Sequence, residues 1–425
     1  MPGNKRTSSK KSPGTNASRV SLSKRGFLKL AGSAACAACA ARLGMDYLPA
    51  HARSEEPKTK ASEDTAAQPS EVSSRDSNGA RGAVKGLLGP KRSPFYTALD
   101  DKKVRCELCP NSCTVSAGER GTCRVRENRD GALYSLVHGN PALLQIDPIE
   151  RKPFFHVLPG TRSLSVTTAG CNMACKFCQV WDMALVDPEE VYAYDFPPSR
   201  VVSQARENDL KSVAYTLGEP VVFFEYMLDI ATLAREAGIK NLLHSNGYIN
   251  PEPLSRLAPL LDGVNIDLKS FDPSFYKRIC EGRLEPVKQS LTSLKEAGVH
   301  IEITCILIPT LNDNPKQIEK MARWIRSEIG ASTPLHFVRF YPLYKLANLP
   351  PTPISTLNAA RDAAKEAGLT YVYVSNAPGH PGENTFCPGC EEMVIRRMGF
   401  MVEFVKIDEG KCENCNHSIE GVWTG

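Results

Sequence analysis

Eleven of the fifteen cysteines in this 425-residue chain fall into three tight groups. Cys106, Cys109, Cys113 and Cys123 form the first, Cys171, Cys175 and Cys178 the second, and Cys387, Cys390, Cys412 and Cys415 the third. Pairs separated by two residues favour metal or cluster ligation over a disulfide framework. The first and third groups hold enough thiols to close a tetrahedral ion. The middle group, in GCNMACKFC, holds three. Its C-x3-C-x2-C spacing suits three corners of a 4Fe-4S cube, with the fourth iron lacking a protein thiolate. An open metal position marks a catalytic site, a filled one a structural site. Phe177, beside the third cysteine, would limit solvent access to such a cluster. The competing reading is a structural zinc or ferredoxin-type site, completed by distant Cys280 or a histidine.

The third group, two C-x2-C knuckles around a hairpin-like run, is close to a zinc-ribbon pattern, with zinc or rubredoxin-like iron as the metal. The first group suits either structural zinc, the simpler choice, or a second iron–sulfur cluster. Cys280 is isolated in sequence, and Cys305, inside IEITCILI, reads as a buried, inert thiol.

Something must hold the middle loop still. From about residue 163 to 375, β-rich runs (SLSVTT, SVAYT, NLLHS, GVNIDL, HIEITCILI, PLHFVRF, TYVYVS) alternate with helical patterns. Phe223, Tyr226, Met227, Ile230, Leu233 and Ala237 fall on one apolar helical face. REAG and two KEAG strings each close a helix with glycine. Repeated strand–helix units imply a parallel sheet, and the absence of a glycine-rich phosphate fingerprint favours a partial (β/α)6 TIM-like barrel. A doubly wound open sheet is the alternative. Chemistry then collects at the C-terminal strand ends. There lie the three-cysteine loop, Leu217-Gly218-Glu219-Pro220, Ser245-Asn246-Gly247 and Asp267-Leu268-Lys269. His336 and Arg339 fall on opposite faces of the sixth strand. One of them facing substrate is the sharper reading, and an ordinary buried polar residue the simpler one.

The three-cysteine loop after the first strand resembles the signature of the radical S-adenosylmethionine (SAM) superfamily. The resemblance implies that Cys171, Cys175 and Cys178 ligate a 4Fe-4S cluster whose fourth iron takes SAM. Reductive cleavage of SAM would then give a 5′-deoxyadenosyl radical that abstracts a substrate hydrogen. It places Gly218 and Glu219 at the SAM amino group, Ser245 and Asn246 at the ribose, and Asp267 and Lys269 facing SAM. GCNMACKFCQVW, AYTLGEPVVFFEY, SNGYI, NIDLKSFD, LIPTLND, HFVRFYP and ENTFCPGC are similar to the radical SAM member of the AmmeMemoRadiSam system. That group is related to pyruvate formate-lyase activating enzymes. Val180, Leu217-Gly218 and Val221 depart from its pattern. The implied partners are a flavodoxin- or ferredoxin-like electron donor and a substrate that is either a protein residue or a small molecule.

The chain therefore divides into a leader (1–52), a linker (53–92), an N-terminal four-cysteine domain (93–160), a radical SAM barrel (161–378) and a zinc-ribbon-like C-terminal domain (379–425). The formal charge of +5 comes from the leader. Residues 1–30 carry eight Lys and Arg and no acid, and removing those eight from 52 leaves 44 against 47 Asp and Glu, a balance of −3. No basic footprint for nucleic acid remains. Ser23, Arg25, Phe27, Leu28 and Lys29 resemble a twin-arginine export signal with Lys24 in place of the first arginine, and Ala50-His51-Ala52 supplies a cleavage site. The apolar run at 30–41, which contains Cys36 and Cys39, is shorter than the ~20 residues that span a bilayer. Export to the periplasm is the expectation. The cytoplasm is the alternative, because SAM and low-potential electrons are supplied there. A non-catalytic exported iron–sulfur or zinc protein, for electron transfer or scaffolding, is the competing function.

Overall fold

The computed structural model describes residues 82–425. The leader and the linker as far as residue 81 lie outside the described residues.

An eight-stranded sheet organises the chain. Its strands are β1 (Leu143–Pro148), β2 (Arg162–Thr167), β3 (Ser212–Tyr215), β4 (Lys240–Ser245), β5 (Gly263–Asp267), β6 (His300–Leu307), β7 (Leu335–Arg339) and β8 (Val372–Ser375). Strands β2 to β8 are parallel, each hydrogen-bonded to the next in sequence. All seven coincide with the β-rich runs. They are Val-, Ile- and Leu-rich because helices cover the sheet, as parallel strands require. The spatial order never reverses, whereas a doubly wound sheet turns back at a switch point. No pairing joins the two edges, β1 and β8, so the sheet is an open, barrel-type arrangement.

The helices between the strands are α1 (Pro198–Glu207), α2 (Phe224–Glu236), α3 (Pro251–Leu257), α4 (Leu284–Glu296), α5 (Pro315–Trp324) and α6 (Ile354–Glu366). On α2 the buried face is Phe224, Tyr226, Met227, Ile230, Ala231 and Ala234. Leu233 is half-buried and Ala237 exposed, because the helix ends at Glu236. Gly238, Gly298 and Gly368 follow α2, α4 and α6 with φ of 72°, 73° and 97°, the left-handed stop that a side chain would strain.

Pairing extends beyond the expected boundaries. β1 lies within the segment read as the N-terminal domain, yet it runs antiparallel to β2 along its whole length. Within the segment read as linker, Val84–Lys85 pairs with Tyr192–Ala193, and Lys91–Arg92 pairs with the strand Ala132–Ser135. Those side chains are exposed, so backbone hydrogen bonds rather than apolar burial hold them in place. Composition cannot register that. The apolar residues of the N-terminal module (Val104, Leu108, Val115, Val125) belong to the same core as the barrel. The C-terminal hairpin, Met393–Met398 with Met401–Val405, has a smaller core with Phe155, Tyr371 and Tyr373. No described helix is long and apolar enough to cross a membrane.

Candidate active site

The three-cysteine loop leaves the end of β2 through Gly170, whose φ is 99°. A Cβ there would meet Val125 at 2.8 Å and the Cys123 carbonyl at 2.9 Å, so only glycine lets the loop lie against the N-terminal module. The loop is then pinned from the other side. Ala174 N donates to the Cys280 carbonyl at 2.9 Å, and Lys176 N to the Ile279 carbonyl at 2.9 Å. Inside the loop, Met173 N donates to Cys171 Sγ at 3.4 Å and Cys178 N to the Cys175 carbonyl at 3.1 Å. Phe177 is buried, as the cluster reading requires.

Burial pushes the Cys171 thiol well up and the Cys178 thiol up to about 11. Cys175 goes the other way: its hydrogen bond with Cys280 stabilises the thiolate and lowers its pKa. Cys280, isolated in sequence, thus reaches this site as a neighbour of Cys175. The turn Tyr276–Cys280 carries it there. The donor set fits a three-thiolate cluster and not a single ion. Among the described residues, the one set of three or more metal-binding side chains within 4.8 Å of one another is the C-terminal tetrad.

Around the loop, the residues predicted at the strand ends form one connected group. Glu219 is 3 % exposed, and its carboxylate accepts from Ser245 Oγ (2.6 Å), Asn246 N (2.9 Å) and Val221 N (3.0 Å). Burial raises its pKa against these donors. Asn246 Nδ2 donates to Asn172 Oδ1 at 2.9 Å and lies 3.9 Å from Cys171 Sγ, so the group runs on to the first cysteine. Ser245 and Asn246, placed by resemblance at a ribose, spend their side-chain donors on this internal network. Gly218 allows a close approach, since a Cβ there would meet the Thr168 carbonyl at 3.0 Å.

Lys269 Nζ pairs with Asp267 Oδ2 at 2.7 Å and stands 5.8 Å from the Phe177 ring centre. Burial opposes its charge, but Asp267 and the Cys175 sulfur outweigh this and hold it cationic. Asp267 is likewise disfavoured as an anion by burial, yet Lys269 and His244 drive its pKa far below the usual carboxylate range. His244 was missed in the sequence. It bridges Thr216 Oγ1 (3.3 Å) and Asp267 Oδ1 (3.1 Å). Its signal was a position next to Ser245 at the end of NLLHS, indistinguishable there from a packed histidine.

His336 and Arg339 serve the framework. His336 is fully buried with Nε2 2.6 Å from Glu302, which also accepts from Phe155 N and His156 N. Arg339 Nε donates to the Thr352 carbonyl and Nη1 to Tyr341 Oη.

The C-terminal sulfurs sit as one ion demands. Cys387–Cys415 and Cys390–Cys412 are 3.5 and 3.8 Å apart, against about 3.8 Å expected across a tetrahedron with Zn–S bonds of about 2.3 Å. With so small a core, this module depends on its metal. Cys412→Ser or strong chelation is expected to make residues 385–418 protease-sensitive while far-UV circular dichroism keeps the central-sheet signal. A hairpin equally resistant without metal would contradict this.

A sequence profile described as the radical SAM superfamily matches residues 165–325. An uncharacterized protein of Methanocaldococcus jannaschii is 42% identical over 332 residues, covering 78% of this chain and 99% of its own. A pyruvate formate-lyase-activating enzyme of Clostridium pasteurianum is 27% identical over 175 residues, 40% of this chain and 71% of its own. The crystal structure of a radical SAM methyltransferase from Sphaerobacter thermophilus covers 68% of this chain and 78% of its own, at 14% identity and a TM-score of 0.41.

Proposed function

Since the chain belongs to the radical SAM superfamily, we propose that it cleaves SAM reductively at Cys171, Cys175 and Cys178 and uses the radical to abstract hydrogen from a protein residue. The chain is an enzyme of the activating-enzyme-like kind. The observation that carries the site assignment is the hydrogen-bonded group linking Cys171 through Asn172 and Asn246 to Glu219. When bound, the cluster supplies an open iron for the SAM amino and carboxylate groups, and the electron that breaks a C–S bond. The chain's own residues do the rest. Glu219 fixes the Ser245–Asn246 turn and sets the wall against which SAM lies. Lys269, kept cationic by Asp267, offers a positive charge beside the cysteine loop. Phe177 excludes water from that side of the loop.

A protein substrate is the preferred class because several named relatives are activating enzymes, including one for a (2S)-3-sulfopropanediol dehydratase, although a GTP 3′,8-cyclase and a 7-carboxy-7-deazaguanine synthase are also among them. A small molecule is the alternative. The electron donor is flavodoxin- or ferredoxin-like, and the AmmeMemoRadiSam assignment rests on the motif strings alone. Export by the twin-arginine-like leader is a separate part of the proposal, and N-terminal sequencing of the native protein should find a start near Arg53.

The test of function is anaerobic reconstitution with iron and sulfide, reduction with dithionite and addition of SAM. 5′-Deoxyadenosine and methionine should appear together. An intact cluster with no cleavage would favour the electron-transfer alternative.

Cys280 provides a finer check. As a hydrogen-bonding neighbour of Cys175, its loss in Cys280→Ala should leave the cluster assembled and lower cleavage by no more than about 10–100-fold, the usual cost of an outer-shell partner. Loss of the cluster itself would make Cys280 a ligand and close the site.

A further inference from the structure

We propose that Cys106, Cys109, Cys113 and Cys123 hold a second 4Fe-4S cluster, packed against the loop of the first, rather than a zinc ion. Zinc was the simpler choice from spacing; one feature of the structure turns against it, and a second marks the cavity as the seat of an anionic metal centre. The first is the separation of the sulfurs. Four thiolates on one ion are drawn to about 3.8 Å from one another, as the C-terminal sulfurs are. Among the described residues, no three of the N-terminal sulfurs lie within 4.8 Å of one another. Instead all four line one small cavity of about 20 Å³, together with Leu108, Val115 and Val222. A cubane takes each thiolate on a different iron and so holds the sulfurs apart around a body of its own. The second feature is Arg126, which lines the same cavity and is 1 % exposed. Its Nη atoms are spent on Ser93, Glu225 and the Val222 carbonyl, but its Nε is buried with no partner. A buried donor without an acceptor is costly. The sulfurs of an anionic metal centre are acceptors of the required charge; zinc thiolates would accept as well, so this feature marks the cavity as an anionic metal site and the sulfur separation decides for the cluster.

The position of this cavity matters. Asn172, the residue after Cys171, is part of its lining, and its carbonyl accepts from Asn111 Nδ2 at 2.7 Å. The Cys123 carbonyl lies 2.9 Å from where a Gly170 Cβ would be, so a cysteine of one site packs against the residue before Cys171 of the other. A redox group here stands one loop away from the SAM site.

The test is acid-labile sulfide, which no single-ion site contains. The reconstituted full-length chain should hold about eight sulfides per chain. A Cys171→Ala/Cys175→Ala/Cys178→Ala variant should keep about four and still give a reduced-cluster EPR signal, which a further Cys109→Ser change removes. If the triple variant does not fold, the wild-type count decides alone. About four sulfides in the wild type, or a triple variant with zinc and no sulfide, would overturn the proposal. Because the triple variant lacks the SAM-cleaving site, this result is independent of whether SAM is cleaved.

Discussion

Cys175→Ala should abolish SAM cleavage, with 5′-deoxyadenosine falling by more than the 10–100-fold that an outer-shell change costs. The reason lies in how this thiol is prepared. Of the three cysteines, Cys175 alone has its pKa lowered, by the hydrogen bond with Cys280. It is also the ligand whose charge bears on Lys269. On the proposed ligation its removal takes away one corner of the cluster, while Lys269 keeps its pairing with Asp267. The fold should survive, because the loop is pinned by main-chain bonds from Ala174 and Lys176 that do not involve the sulfur. Far-UV circular dichroism and the sulfide content of the N-terminal four-cysteine site should therefore be unchanged. Cleavage persisting near the wild-type rate would remove Cys175 from the ligand set.

The second large effect is on stability. Arg126 and Glu225 form a bidentate pair, 2.8 and 2.6 Å, with side chains 2 % and 6 % exposed. The pair ties the N-terminal strand Arg126–Arg129 to α2, where Glu225 lies. Burial disfavours the Glu225 anion, but Arg126 more than offsets it and holds the carboxyl below its ordinary range. Arg126→Met leaves that carboxylate buried and alone, at a cost of about 3–5 kcal/mol. Arg126→Met/Glu225→Leu removes both charges and should regain most of the loss, since a buried pair replaced by apolar groups is often neutral. Urea unfolding of the three variants at equal metal loading measures this. A single variant within about 1 kcal/mol of wild type would mean the pair is more hydrated than its burial indicates.

Much of this was legible in the sequence. The seven parallel strands announced themselves because strands covered on both faces must be apolar throughout. The helices ended at glycine because only glycine takes the left-handed stop without strain. The order of motifs on successive strands brought Glu219, Ser245, Asn246, Asp267 and Lys269 to the cysteine loop. What stayed hidden was whatever depends on long-range pairing. β1 reads as LLQIDP, a mixed run whose buried Asp147 is met by Arg151, Ser165 and Lys152. Val84–Lys85 is held by backbone pairing, and Lys91–Arg92 by backbone pairing with only exposed polar contacts, Lys91 to Asp229 and Arg92 to Tyr96, beside it. Cys280 reaches Cys175 through a turn 100 residues further along the chain, and no local pattern signals that contact. His244 needed β3 and β5 on either side before its bridge from Thr216 to Asp267 could exist. The four-cysteine groups differ in spacing, a zinc-ribbon pattern in one and a string open between zinc and iron–sulfur in the other. In space they separate, one around a point and the other around a cavity.

On the proposed function, the site at Cys171, Cys175 and Cys178 is open at its fourth iron and SAM fills it. The most direct measurement is electron–nuclear double resonance on the reduced enzyme with SAM carrying 15N in its amino group. The account predicts a hyperfine coupling from that nitrogen to the cluster, present in Cys280→Ala and absent from Cys175→Ala. An intact, reduced cluster whose spectrum is unmoved by SAM and shows no 15N coupling would contradict it.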